Sequence, residues 1–408
     1  MTQESKCAAQ KRFDPFFEVI GGGEWNACVG IQGTAENYVD GYIEAALELA
    51  SAVIDKRLVA SRDTLAMPIL YNIRHGLELS LKYAIDRLHA AGAIPQPHVA
   101  NHDILSHWTL LHNNNIGDEH LRAMVAEIEP YVKSLAAIDD DGQELRYAFN
   151  RDGVQSMAGI AIVNLPLVRT SIRRLSLLLG RFKHRVHQIE EERATGTHTS
   201  ECSRTDLVEI AHTLGDRATW SDPSFDGKRN ALRQRFGIGS RKFSQAVNAI
   251  KDSRQLAAMV GIETDLKYLS DDKAIEILTL WANAHPLEQF DPNHLGTDYF
   301  NRNREAVREE VRIARELDEA ARQLLSVTEF ADLQALFYLG RERISGEHYE
   351  SLLERTLNSF HGALEWSSVH HLMSKENLLD SVIVGASAAG RPSLAEKLKS
   401  IRRPTTNS

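Results

Sequence analysis

Cysteine is scarce in this chain of 408 residues: Cys7, Cys28 and Cys202 are widely spaced and odd in number. That excludes a disulfide framework and a cysteine-based zinc site, and it points to a reducing compartment. No apolar run reaches the roughly 18 residues that a bilayer-spanning helix needs, and the opening MTQESKCAAQKRF lacks the apolar segment of a signal peptide. A cytoplasmic protein with no membrane partner is the expectation. Period-two alternation and a βαβ rhythm are both missing, so the sequence predicts an all-α fold. A Gly-rich phosphate loop is missing too, because IGGGEW has neither the lysine nor the strand–helix context of one, and no serine nucleophile elbow occurs. No cofactor is expected.

What is present is apolar side chain at helical spacing. A hydrophobic fraction of 43% supports real cores in two or three domains. The net charge of −9 does not favour nucleic acid or an anionic membrane over the whole surface, so any basic site must be local. Helices are expected over residues 34–57, opened by a Thr-x-x-Asn start, and over 61–91, 101–112 and 165–192. After Pro130 the chain reads as irregular. The polar tract ERATGTHTSECSRTD (192–206) reads as a linker, and HPLEQFDPNHLGTD (285–298) as a second boundary. The implied domains are a helical bundle at 1–191, a helical domain at 207–284 and a C-terminal helical domain at 299–408.

One stretch of the second helix, ILYNIRHGLELSLKYAIDRLH (69–89), combines two patterns. Ile69, Ile73, Leu77, Leu81 and Ile85 recur every four residues and form a core stripe. Beside them Arg74, Glu78 and Lys82 are also spaced by four, with His75 adjacent. This strip is either a solvated salt-bridge ladder, each pair worth roughly 0.3–0.5 kcal/mol, or the wall of a polar groove.

YNIRHGLELSLKYAI, followed by NHDILSHWTLL and by ELRYAFNRDG before a last long helix, resembles the prokaryotic HEPN superfamily (higher eukaryotes and prokaryotes nucleotide-binding) over roughly residues 35–190. The resemblance implies an up-down α-bundle that dimerises through the helices at 69–89 and 165–190, serves antiviral defence or toxin systems and, in many members, cuts RNA without a metal. On that basis Arg74, His75 and Glu78 are the candidate catalytic residues. The family's ribonucleases carry an Arg, then four to six residues beginning with a polar one, then a His, near the start of the final helix. Here that helix reads VNLPLVRTSIRRLSLLLGRFKHRVHQ, and Arg169, Arg173 and Arg174 have no His at that spacing. Arg181 and His187 match formally, but beside Lys183, His184 and Arg185 they form a basic helix C-terminus that suits the macrodipole. Arg343 and His348, in GRERISGEHYESLL, are an alternative catalytic pair on a loop between helices.

Histidines crowd one region, where His98, His102, His107 and His112 accompany Asp103. Their spacing of five, four and five makes them diverge on a helix, so no metal site is expected, and Asn101 or Asp103 reads as a helix N-cap.

The strongest local charge lies in KRNALRQRFGIGSRKFSQAVNAIKDSR (228–254), where eight basic side chains meet the single acid Asp252. Two short helices around a Gly turn, with Gly237 ending the first and Ser240 capping the second, resemble a helix-turn-helix. Arg233, Arg235, Arg241, Lys242 and Gln245 are the candidate nucleic-acid contacts. Two function classes therefore stand: a metal-independent endoribonuclease acting as a dimer, with RNA favoured over DNA, and a non-catalytic DNA-binding or scaffold subunit of a defence complex.

Overall fold

The computed structural model describes residues 16–17, 21, 24–114, 116–149, 153–286, 304–360 and 364–401. The fold is all-α; among the described residues the only extended pairing is an isolated bridge between Phe149 and Gln155. No described helix is long and apolar enough to cross a membrane. The first five helices are α1 (Ala35–Asp55), α2 (Arg62–Ala90), α3 (Ile104–Asn113), α4 (Glu119–Ala136) and α5 (Leu165–Ala194). α1 starts at the expected Thr-x-x-Asn, where the Thr34 N–H donates to Asn37 Oδ1 at 2.8 Å and closes a capping box. α4 departs from the reading around Pro130, because the helix runs through that proline to Ala136. A helix-interior proline costs about 3 kcal/mol, and the buried side chains of Val125, Ile128, Val132 and Leu135 offset it.

The chain forms two compact units, and the division falls inside α2, α3, α4 and α5. The first unit comprises Met1–Tyr83, Asn101–Leu105 and Tyr131–Leu179. Its core is built from Val39, Ile43, Ala46 and Ala50 of α1, Ile69, Ile73, Leu77 and Leu81 of α2, and Leu165, Ile172 and Leu175 of α5, all buried. Gly76 is needed for the α1–α2 packing, since a Cβ there would stand 2.7 Å from the Ile43 side chain.

The second unit comprises Ala84–Ala100, Ser106–Pro130 and Gly180–Ser408. Within it α6 (Arg204–Leu214), α7 (Phe225–Phe236), α8 (Ser240–Asp252) and α9 (Arg254–Met259) enclose Leu207, Ile210, Leu232, Phe236, Phe243 and Ile250. A second core gathers Trp281, Leu317, Phe337, Tyr349, Val369, Val382 and Leu394, one each from α10 (Asp271–Ala284), α11 (Arg304–Leu324), α12 (Val327–Arg341), α13 (Tyr349–Ser359), α14 (Trp366–Met373), α15 (Leu378–Ala388) and α16 (Pro392–Lys399). Residues 266–282 thus pack with the C-terminal helices. The boundary expected at 285–298 lies almost wholly outside the described residues.

The tract 192–206 is an ordered connection inside the second unit rather than a free linker. Its polar groups bind one another: the Glu192 carboxylate accepts from the Thr205 N–H at 3.1 Å and Oγ1 at 2.7 Å, and Ser203 caps α6 through the Asp206 N–H. Small polar residues there make caps, which composition alone does not distinguish from flexibility.

Candidate functional site

The charged strip of α2 turns inward. Arg74 is 1% exposed and its guanidinium is committed to the fold: Nε donates to the Asp139 carbonyl at 2.9 Å, Nη1 to Glu78 Oε2 at 2.9 Å, and Nη2 to the carbonyls of His102 at 2.6 Å and Asp140 at 3.2 Å. It ties the segment before α3 and the segment after α4 to one turn of α2. Gly142 completes the tie with a φ of +81°, and a Cβ there would approach Arg74 Nη1 to 3.3 Å. The Asp139 carboxylate, fully buried, accepts the N–H groups of Glu144 and Leu145 and turns that segment back.

Glu78 stands at the centre of the cluster. Its Oε1 accepts from Lys82 Nζ at 2.7 Å and meets His102 Nδ1 at 2.9 Å, while Oε2 faces Arg74 and lies 3.9 Å from His75 Nδ1. Burial alone would push this carboxyl up, but the neighbouring His75 and the hydrogen bonds from Lys82 and His102 outweigh it and hold it well below the usual carboxylate range. Glu78 is therefore a fixed anion, suited to orienting imidazoles rather than to shuttling a proton.

The two histidines lead from this buried anion toward solvent. The His102 side chain is 55% exposed, so with Nδ1 on Glu78 its Nε2 edge is the one available to a substrate. His75, 22% exposed, stacks on Tyr71 at 5.5 Å and meets Tyr42 edge-on at 4.4 Å. The exposed Arg146 guanidinium lies 5.9 Å from the Tyr71 ring centre and 5.4 Å from that of Tyr147, which is also exposed. Three separate stretches thus converge: Arg74, His75, Glu78 and Lys82 from the first, His102 from the second, Arg146 and Tyr147 from the third.

Other expected residues fall elsewhere. Arg181 pairs with Glu127 at 3.0 Å, and His187 lies 3.9 Å from Glu190. Arg343 is an exposed residue with a φ of +53°, and His348 ends a 3-10 turn before α13. Of the clustered histidines, His98 bonds Asp86 at 2.6 Å, His112 stacks on Trp108, His107 is buried and His102 is held by Glu78. Apart from His98 and His107, whose rings meet edge-on at 5.8 Å, they take separate partners, and Asp103 accepts from the Leu105 N–H as a cap of α3.

Asp118, His120 and Asp206 bring their ligand atoms within 4.8 Å of one another, a cluster that sequence spacing did not single out. Both carboxylates already have structural work. Asp118 accepts from Arg185 Nη2 at 2.6 Å and from the Leu121 N–H at 2.6 Å, whereas Asp206 accepts from the N–H groups of Ser203 and Glu119. Burial and the Asp118 charge push Asp206 up to about 6, while the Arg185 ion pair outweighs burial and holds Asp118 low. The arrangement is two helix caps sharing one space.

The basic hairpin forms as α7, a three-residue Gly-Ile-Gly connection and α8, with Gly237 left-handed at φ +67°. Gly239, one residue before the expected Ser240, is the N-cap. Arg235 pairs with Glu119 at 3.3 Å and Glu209 at 2.5 Å, and Lys242 with Glu201 at 3.1 Å; Arg241 and Gln245 are exposed, and Arg233 is half-buried.

Compared with known protein families, with curated proteins and with solved structures, the chain matches none.

Proposed function

We propose that the first unit is a metal-independent endoribonuclease of the defence or toxin type, with His75 and His102 as its acid–base pair. The observation that carries this reading is one buried carboxylate, Glu78, that meets His102 Nδ1 at 2.9 Å and has His75 Nδ1 3.9 Å from its other oxygen. In the proposed step the His102 Nε2 takes the proton of a ribose 2′-hydroxyl, whose oxygen attacks the adjacent phosphorus. The bond from phosphorus to the 5′-oxygen breaks as His75 donates a proton to that leaving oxygen, and the product is a cyclic phosphate. Arg146 stabilises the charge that builds on the phosphate, and Tyr147 offers a stacking surface for an unpaired base. Arg74 and Glu78, named as catalytic on the sequence, act as positioning residues. Both histidines come from one chain, so the site is complete in a protomer and catalysis need not depend on a dimer.

Incubating the full chain with single-stranded RNA and matched DNA in EDTA tests this reading. RNA cut to cyclic phosphate ends with the DNA left whole is the expected result. Intact RNA, or cleavage that EDTA abolishes, overturns it.

A further inference from the structure

Independently of the bundle's chemistry, we propose that α8 is a recognition helix that reads duplex DNA in the major groove through Arg241, Ser244, Gln245 and Asn248. These four residues lie at i, i+3, i+4 and i+7 and are all exposed, so they form one continuous stripe. The opposite face, Phe243, Ala246 and Ile250, is buried against the core that also takes Leu232 and Phe236 of α7. The short Gly-Ile-Gly connection, with Ile238 buried, fixes the second helix on the first as a helix-turn-helix requires. The outward face is then free of any packing role.

The chemistry of the stripe selects its ligand. Arginine bonds guanine O6 and N7 with two donors, asparagine and glutamine bond adenine N6 and N7 with a donor and an acceptor, and serine bonds either base. No acidic residue occurs between Ser240 and Lys251. Lys228 is exposed on α7, where a cation suits a flanking phosphate, beside Arg229, which pairs with Asp226 at 3.0 Å, and the first turn of α8 has no side-chain cap across its N–H groups. Duplex RNA is disfavoured because its deep, narrow major groove does not admit a helix. Arg235 and Lys242, which the sequence nominated, pair with Glu119, Glu209 and Glu201 and are left out of the proposed stripe.

The test is selection of the full chain on duplex DNA with a randomised core, followed by binding to the enriched duplex and to a scrambled one. Enrichment of a defined site is expected. Arg241→Ala should relax the preference at one base pair and Asn248→Ala at another along the same groove, each weakening the enriched duplex by about ten-fold or more. Lys228→Ala should weaken both duplexes equally and lower the log–log salt slope by about one. These side chains are exposed, and retained cooperative melting of each variant separates lost contacts from lost folding. No enriched site, unchanged preference in Arg241→Ala and Asn248→Ala, or single-stranded RNA outcompeting the enriched duplex would each overturn the proposal.

Discussion

Arg74 shows how a residue with an ordinary sequence setting becomes a fastener. Its spacing from Glu78 is visible in the sequence, but three of its acceptors are backbone carbonyls at His102, Asp139 and Asp140, which no residue pattern displays. Neither alternative read for the strip, a solvated ladder or a groove wall, anticipated a buried tie. Arg74→Ala leaves the Glu78 carboxylate without its buried partner, and a loss of about 3–5 kcal/mol in urea unfolding is expected. His102 was visible as a member of a histidine-rich stretch and of NHDILSHWTLL, but nothing local announces a carboxylate 24 residues earlier. Asp206 supplies a pH signature of opposite sign to that of Glu78. Its folded value of about 6 exceeds the ordinary 3.8, so its contribution to stability is full below the unfolded value and is lost as pH rises through about 6. Asp206→Asn removes that titration, so its stability relative to wild type should improve by up to about 3 kcal/mol between about pH 4 and pH 8 in denaturant titrations. A pH-independent difference would show that Asp206 does not titrate in this way.

Among elements, the α12–α15 crossing depends most on single residues. A Cβ on Gly340 would stand 1.9 Å from the Ser381 carbonyl oxygen, and one on Gly385 1.9 Å from that of Leu336, so the two backbones meet without side chains between them. Gly385→Ala should therefore cost about 3 kcal/mol or more, read as a lowered melting temperature; a wild-type melt would contradict the close approach. Helices with a strong stripe and a capping residue were legible, as α1, α2 and α5 show within a residue or two. α4 was not, because Pro130 is a breaker by rule and the compensating burial of Val132 and Leu135 is a tertiary effect. The basic hairpin was legible in outline, since glycines mark its turn. Which of its cations stay free was not, because Glu119, Glu201 and Glu209 lie outside it in sequence.

Across the whole chain, two nucleic-acid sites of different kind are proposed on a molecule whose net charge is −9. The bulk charge gives neither site long-range attraction, so each depends on local groups: imidazoles over a buried anion in one, a polar helix face in the other. The all-α class followed from composition and period, whereas the packing of Leu266 to Ala282 onto helices more than 30 residues later is a tertiary fact that composition does not display. In the proposed reaction His102, held by Glu78, and the neighbouring His75 perform the proton transfers. The most direct measurement is the rate of RNA cleavage in EDTA by His102→Ala and His75→Ala beside wild type, with thermal melting of each recorded in parallel. The predicted result is a fall of about 10²–10⁴ in rate for each variant, with cooperative melting retained. Wild-type cleavage by both folded variants would contradict it.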